Sequence, residues 1–429
     1  MHFSDRIKLV LSGVETALSL DPELAIAAGQ VQSHFALKGQ GTNLVHITSR
    51  FGSFTVSVAP SSGQDYTLVA SEDAWKEFFA AQPRPPYQSY WGMLRVLGRD
   101  NGVLVEGNVD AFVRDARVWR LVLDRTRHAL HGRTSQDSIM ASDEEAERDE
   151  IVGRYLWIET PFGRTKIFYE TAGSGPQPLL FLHTAGGDSR QYHSLMNSRP
   201  LQKRCTMYAV DLPGHGRSFP GPALYPGAYE LNEEFYISVI GQVIRKLNLQ
   251  GTVVSGASMA GHACLAVALR AAELGVIGVI PCEAADHIPA SKDHYAIGSA
   301  GNESIVNPER VCGLISPTAP AINHRLIWWI YSSQAFNIFP GDLKFYFNGW
   351  DARDRVHLID TTVCPVYMLT GEYDYSCTPA ASRATAAKIN GAVFEEMKGL
   401  GHFPMTEEPE VFLPYFLKAL DFINTSHST

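Results

Sequence analysis

The sequence predicts an α/β protein, a mostly parallel sheet with crossover helices, preceded by a smaller α+β domain. Three observations predict it. Short apolar runs at 178–182, 207–210, 252–255, 276–281 and 366–370 alternate with helical stretches, as expected of parallel strands buried on both faces. A hairpin opens that series: 155–159 and 166–170 alternate around the turn Pro161-Phe162-Gly163, a period-two pattern broken by turn residues. Upstream, a polar run (133–138) leads into Asp143-Glu144-Glu145-Ala146-Glu147-Arg148-Asp149-Glu150. So charged and apolar-poor a stretch reads as a solvated linker. The expected organisation is an N-terminal domain over 1–132, a linker over 133–152, and the α/β domain over 153–424.

Residues 4–30 read as helical, with Ile7, Val10, Leu11, Val14 and Leu18 near helical spacing. Alternating segments follow at 34–38, 44–48, 54–58 and 66–69. Ser71 then caps a helix carrying Trp75, Phe78 and Phe79, which Pro83, Pro85 and Pro86 end. A strand at 103–106 and a helix at 109–130 close the domain. This helix–meander–helix order is vaguely similar to the sterol-carrier-protein fold. It holds no cluster of acids, bases or metal ligands, and His128 and His131 read as helix-end residues.

Composition narrows the function classes. A net charge of −9 without a basic face speaks against nucleic-acid or anionic-membrane binding. Six cysteines lack CxxC spacing and read as buried reduced thiols. The first twenty residues lack an apolar core with a cleavage site, and no apolar run could span a bilayer. A cytoplasmic protein without membrane insertion is expected, with a homodimer left open.

The chemistry centres on Val253-Val254-Ser255-Gly256-Ala257-Ser258-Met259-Ala260-Gly261-His262. A strand stops, small residues flank a serine, and a helix begins. That is the pattern of a nucleophile elbow, in which a strained turn leaves no room for side chains near the serine. Four other segments fall at strand ends. His183-Thr184-Ala185-Gly186-Gly187 suits backbone N–H groups facing a cavity. Asp211-Leu212-Pro213-Gly214-His215-Gly216-Arg217-Ser218 follows a strand, as does Gly371-Glu372-Tyr373-Asp374. After a last strand (393–397) comes Gly401-His402-Phe403-Pro404.

From about 153 to 424 these five segments, in this order, resemble the α/β-hydrolase family. The resemblance implies Ser258 as nucleophile, His402 as general base and Asp374 as the acid that orients it. Glu283 and Asp286, after the preceding strand, stand as alternative acids. The family usually has His-Gly where this chain has His183-Thr184, so either Ala185 or Thr184 could join Met259 in an oxyanion hole, with Ala185 favoured by position. His215 reads as a structural turn residue, and His183 as a holder of the oxyanion loop that also borders the pocket. His262 reads as packing within the elbow helix. Arg190 and His193 could add a polar contact.

Between Asp286 and Asp360 the chain leaves the sheet, where the family inserts a cap. Its aromatic residues fill the cap's own core, with Trp328, Trp329, Tyr331 and Trp350 as candidates to line the pocket. The implied activity is a serine hydrolase (EC 3.1) cleaving an ester, lactone or thioester of a large apolar small molecule, aromatic or polycyclic, without metal or organic cofactor. Alternatives are a carbon–carbon bond hydrolase of a β-diketone (EC 3.7), an acyltransferase, or a non-catalytic binding protein on the same fold.

Overall fold

The computed structural model describes residues 7–8, 11–29, 31–40, 42–132, 149–290 and 303–427, so linker positions 133–148 lie outside the described residues. The chain forms two compact units, one from 1–140 with 291–322 and the other from 141–290 with 323–429.

The first unit holds a five-stranded sheet in the order β3-β2-β1-β4-β5. Its strands are β1 (Ser33–Lys38), β2 (Leu44–Arg50), β3 (Ser53–Ala59), β4 (Tyr66–Val69) and β5 (Leu104–Gly107). β1 to β3 form the expected antiparallel series, but β4 lies on the other side of β1 and parallel to it. That register sets Tyr66 beside Phe35, and the two rings stack at 5.4 Å within the core. Ser71 caps its helix by accepting from the Ala74 amide. The helix expected over 109–130 is two, Val109–Arg114 and Ala116–Leu130, because Asp115 leaves helical geometry at φ −92°, ψ 11°. A segment from the far side of the sequence completes this core. In helix Glu303–Cys312, Val306 joins the apolar cluster and Glu309 forms a buried ion pair with Arg120. Ser89 Oγ also donates to Gly313 O at 2.7 Å. The insertion expected over 286–360 is thus divided between the units.

The second unit is built on an eight-stranded sheet, β13-β12-β11-β10-β8-β9-β7-β6. Its strands are β6 (Val152–Thr160), β7 (Gly163–Ala172), β8 (Gln177–Leu182), β9 (Cys205–Val210), β10 (Thr252–Ala257), β11 (Val276–Cys282), β12 (Tyr367–Gly371) and β13 (Val393–Met397). β6 and β7 form the antiparallel hairpin, β7 pairs antiparallel with β9, and β8 to β13 are parallel. Register is what assembles a site here. Leu182 lies beside Gly256, Ala257 beside Cys282, and Cys282 beside Leu369. The residues that follow β8, β10, β11 and β12 therefore emerge together along one carboxyl edge, where open α/β sheets bind ligands. Among the described residues no helix is long and apolar enough to cross a membrane.

Candidate active site

At the end of β10, Ser258 takes φ 61°, ψ −122°, and the helix Met259–Ala268 starts at the next residue. A non-glycine residue at positive φ is strained and persists only where its surroundings enforce it. The enforcement is visible at the glycines. A Cβ on Gly256 would lie 2.5 Å from Ala260 Cβ and 2.9 Å from Leu182 O, and one on Gly261 would lie 2.2 Å from Cys282 O. Ser258 itself is 4% exposed and its amide donates to Cys282 O at 3.0 Å.

The β12 end supplies Asp374. Its Oδ1 accepts from the amides of Ser376 (2.7 Å) and Cys377 (3.1 Å), and its Oδ2 accepts from His402 Nδ1 at 2.7 Å. With Nδ1 committed as donor, Nε2 is left as the basic nitrogen of His402. The two loops are packed backbone to backbone. A Cβ on Gly371 would stand 2.2 Å from Gly401 O, and Tyr373 donates to Leu400 O. Glu407 holds the histidine loop by accepting from the Gly401 amide. Burial first, then His287 and His402, push His262 down to about 3, and it stacks on Tyr346 and Trp350 as a neutral ring.

The alternative acids differ from Asp374. Glu283 is wholly buried, its Oε1 accepts from the Gly371 amide at 3.1 Å, and its Oε2 has no partner. Burial, then the Asp374 charge, hold it far above the usual carboxylate range. Asp286 instead pairs with the half-exposed Lys388.

In the loop after β8 most amides are spoken for. Thr184 N donates to Gln191 Oε1 at 3.0 Å, Gly186 N to Asp342 Oδ2 at 2.7 Å, and Gly187 N to Thr184 O at 2.9 Å. The Ala185 amide is not so engaged, which favours Ala185 over Thr184 as a donor to a ligand. His183 fixes that choice. Its Nε2 accepts from Leu212 N at 3.0 Å, so Nδ1 carries the proton and donates to Thr184 O at 2.8 Å. The carbonyl of the Thr184–Ala185 peptide is thereby held by two donors, and its N–H must point the opposite way. Burial, then the charge of His215, lower His183 to about 4, consistent with this neutral tautomer.

The remaining candidate residues have partners of their own. Arg190 pairs with Asp188 at 2.6 Å and His193 with Glu170 at 2.8 Å. Tyr331 is buried and its hydroxyl meets Thr184 Oγ1 at 2.5 Å. Trp350 is a core residue donating to Ala285 O, Trp329 is 58% exposed, and Trp328 is part-buried. Asp342, Gln191 and Tyr229 were not foreseen. The only sequence signal for Asp342 is a lone acid after the apolar Ile338-Phe339-Pro340-Gly341. Among the described residues no cluster of three or more His, Cys, Asp or Glu could hold a metal ion.

Comparison with known proteins agrees with this architecture. The esterase of Thermogutta terrifontis superposes with a TM-score of 0.54 at 20% identity, covering 63% of this chain and 99% of its own. The enol-lactonase of Burkholderia xenovorans LB400 gives 0.52 at 20% identity, covering 62% and 100%. In sequence, 116 residues are 34% identical to the dihydrolipoyllysine-residue acetyltransferase component of the acetoin cleaving system of Pseudomonas putida, 27% of this chain and 30% of that protein. The match therefore spans under a third of that relative's length. The model of the alpha/beta hydrolase family matches residues 179–414, more than half of the chain, running from β8 through β13 and leaving out the β6–β7 hairpin. By sheet order and by that match, the chain belongs to the alpha/beta hydrolase family.

Proposed function

We propose that this chain is a serine hydrolase acting on an ester, lactone or thioester of a large apolar substrate. The observation that carries the reading is the buried His402–Asp374 pair, 2.7 Å apart, on the same sheet edge as a strained Ser258. Ser258 attacks the carbonyl while His402 Nε2 takes its proton, and His402 later returns the proton to the leaving group. Asp374 fixes the imidazole tautomer and stabilises the imidazolium. The Ala185 and Met259 amides receive the oxyanion. Water then repeats the attack on the acyl-enzyme through the same base. Fold neighbours named as an esterase and an enol-lactonase are compatible with this chemistry. Acyl transfer is the second reading, because the sequence relative is named as an acetyltransferase component.

A serine-directed phosphonate tests the reading: a single adduct on Ser258 is expected, and no adduct would favour a binding protein. Ser258→Ala and His402→Ala should each lower kcat by roughly 10⁴-fold or more, with the double variant little worse than either, since such residues act as a unit. Substrate class follows from kcat/KM on short aryl acetates, bulky aryl esters and lactones, and aryl β-diketones. Bulky esters should lead, because burying a ring system contributes about 25 cal/mol per Å² of apolar surface. A preference for diketones would move the assignment to carbon–carbon bond hydrolysis.

A further inference from the structure

We infer that Asp342, on the inserted helix Ile338–Lys344, is a positioning residue that sets the oxyanion hole by anchoring the loop after β8 from above. The inference rests on the serine-hydrolase reading and adds to it a residue outside the motifs.

Asp342 is wholly buried, and its two oxygens take three donors. Oδ2 accepts from Gly186 N at 2.7 Å and His215 Nε2 at 2.8 Å, and Oδ1 accepts from Tyr229 OH at 2.9 Å. A buried carboxylate is costly unless saturated in this way. Burial opposes the charged form of His215, but the Asp342 carboxylate outweighs it and raises His215.

Its leverage comes from where Gly186 sits. The Ala185 amide belongs to the Thr184–Ala185 peptide. Gln191 holds the peptide before it through Thr184 N, and Asp342 holds the peptide after it through Gly186 N. With both neighbours fixed, the remaining N–H has one direction. Gly186 stands at φ 64°, and a Cβ there would lie 2.6 Å from Phe339 Cδ2, so the inserted helix rests directly on this turn. Without the carboxylate, Gly186 loses its acceptor, and the Thr184–Ala185 peptide keeps only the hold that His183 and Gly187 have on its carbonyl, so its N–H is less tightly aimed.

A merely structural carboxylate and a positioning one differ in what they change. The test compares the wild-type enzyme with Asp342→Ala and Asp342→Asn, using a trifluoromethyl ketone, whose tetrahedral adduct places an oxyanion in the hole, and a planar amide analogue, which does not. For Asp342→Ala, kcat and ketone affinity should fall together by about ten- to hundredfold, since misaligned oxyanion donors lose most of their effect. KM and amide affinity should change by less than about threefold. The isosteric Asp342→Asn keeps an acceptor but not the charge, and should lose about three- to tenfold on the same two readouts. Equal losses for ketone and amide, or no loss in a folded variant, would overturn the inference. Should Asp342→Ala not fold, Asp342→Asn decides alone: ketone affinity equal to wild type overturns the proposal. Failure of the wild-type enzyme to bind the ketone or label with the phosphonate overturns the hydrolase reading itself, and this one with it.

Discussion

The carboxyl ends of β11 and β12 lie side by side, each carries a buried carboxyl group, and the two are equipped differently. Asp374 accepts three hydrogen bonds, one of them from His402. Glu283 accepts one, from the Gly371 amide, and leaves Oε2 bare. Burial alone cannot separate them, since both are essentially inaccessible. The number and kind of donors does. A carboxylate in a low-dielectric site survives when N–H groups point at it, and otherwise keeps its proton. In the proposed mechanism the two carboxyl groups have different work: Asp374 balances an imidazolium, while Glu283, pushed by burial toward its neutral form, ties the end of β11 to the Gly371 amide.

The sharpest way to break this contrast is to neutralise each group in turn. Asp374→Asn should lower kcat by about 10⁴-fold, because the amide favours the wrong imidazole tautomer. Glu283→Gln mimics the protonated acid and should stay within about threefold of the wild-type kcat. If the two results were exchanged, the acid would be Glu283. The same pair separates in stability against pH. A carboxyl whose folded pKa lies above its unfolded value contributes stability that is complete below the unfolded pKa and is lost as pH rises toward the folded one. The melting temperature of Glu283→Gln minus that of wild type should therefore increase as pH rises from about 5 to 8. A flat or falling difference would mean that Glu283 is charged in the folded protein. The smallest effect belongs to the remaining candidate. Asp286→Asn breaks a pair with a half-exposed lysine, and should cost at most about 1 kcal/mol with turnover unchanged.

How much of this was legible in the chain depends on the range over which each feature is encoded. The elbow is local: its small residues, serine and helix start fall within six positions, although a Cβ at Gly256 or Gly261 would also meet the two flanking strands at Leu182 O and Cys282 O. Strand alternation is equally local, which is why the sheet was readable. Orientation is not. Trp329 and Trp350 look alike in an aromatic-rich insertion, yet one faces solvent and the other donates to Ala285 O. Which way a side chain turns depends on partners far away in sequence. The helix Glu303–Cys312 was placed with the insertion because of its position in the chain, but its Glu309 pairs with Arg120, 189 residues earlier. Asp342 is the extreme case, since its partners Gly186, His215 and Tyr229 belong to three segments that no spacing rule links. Ala185 is favoured over Thr184 by position in the sequence, but the acceptor that occupies the Thr184 amide, Gln191, is visible only once the loop has folded back.

Ser258 and Glu283 both hold left-handed backbone torsions, φ 61° and 48°, at consecutive strand ends. Glycine would relieve each at once. Selection for stability alone would thus drift toward glycine at 258 and toward glycine or an apolar residue at 283, and every such step would be rewarded by a sturdier protein. The strain at Ser258 is a cost in robustness that goes with presenting a nucleophile, whereas the strain at Glu283 goes with its bond to the Gly371 amide.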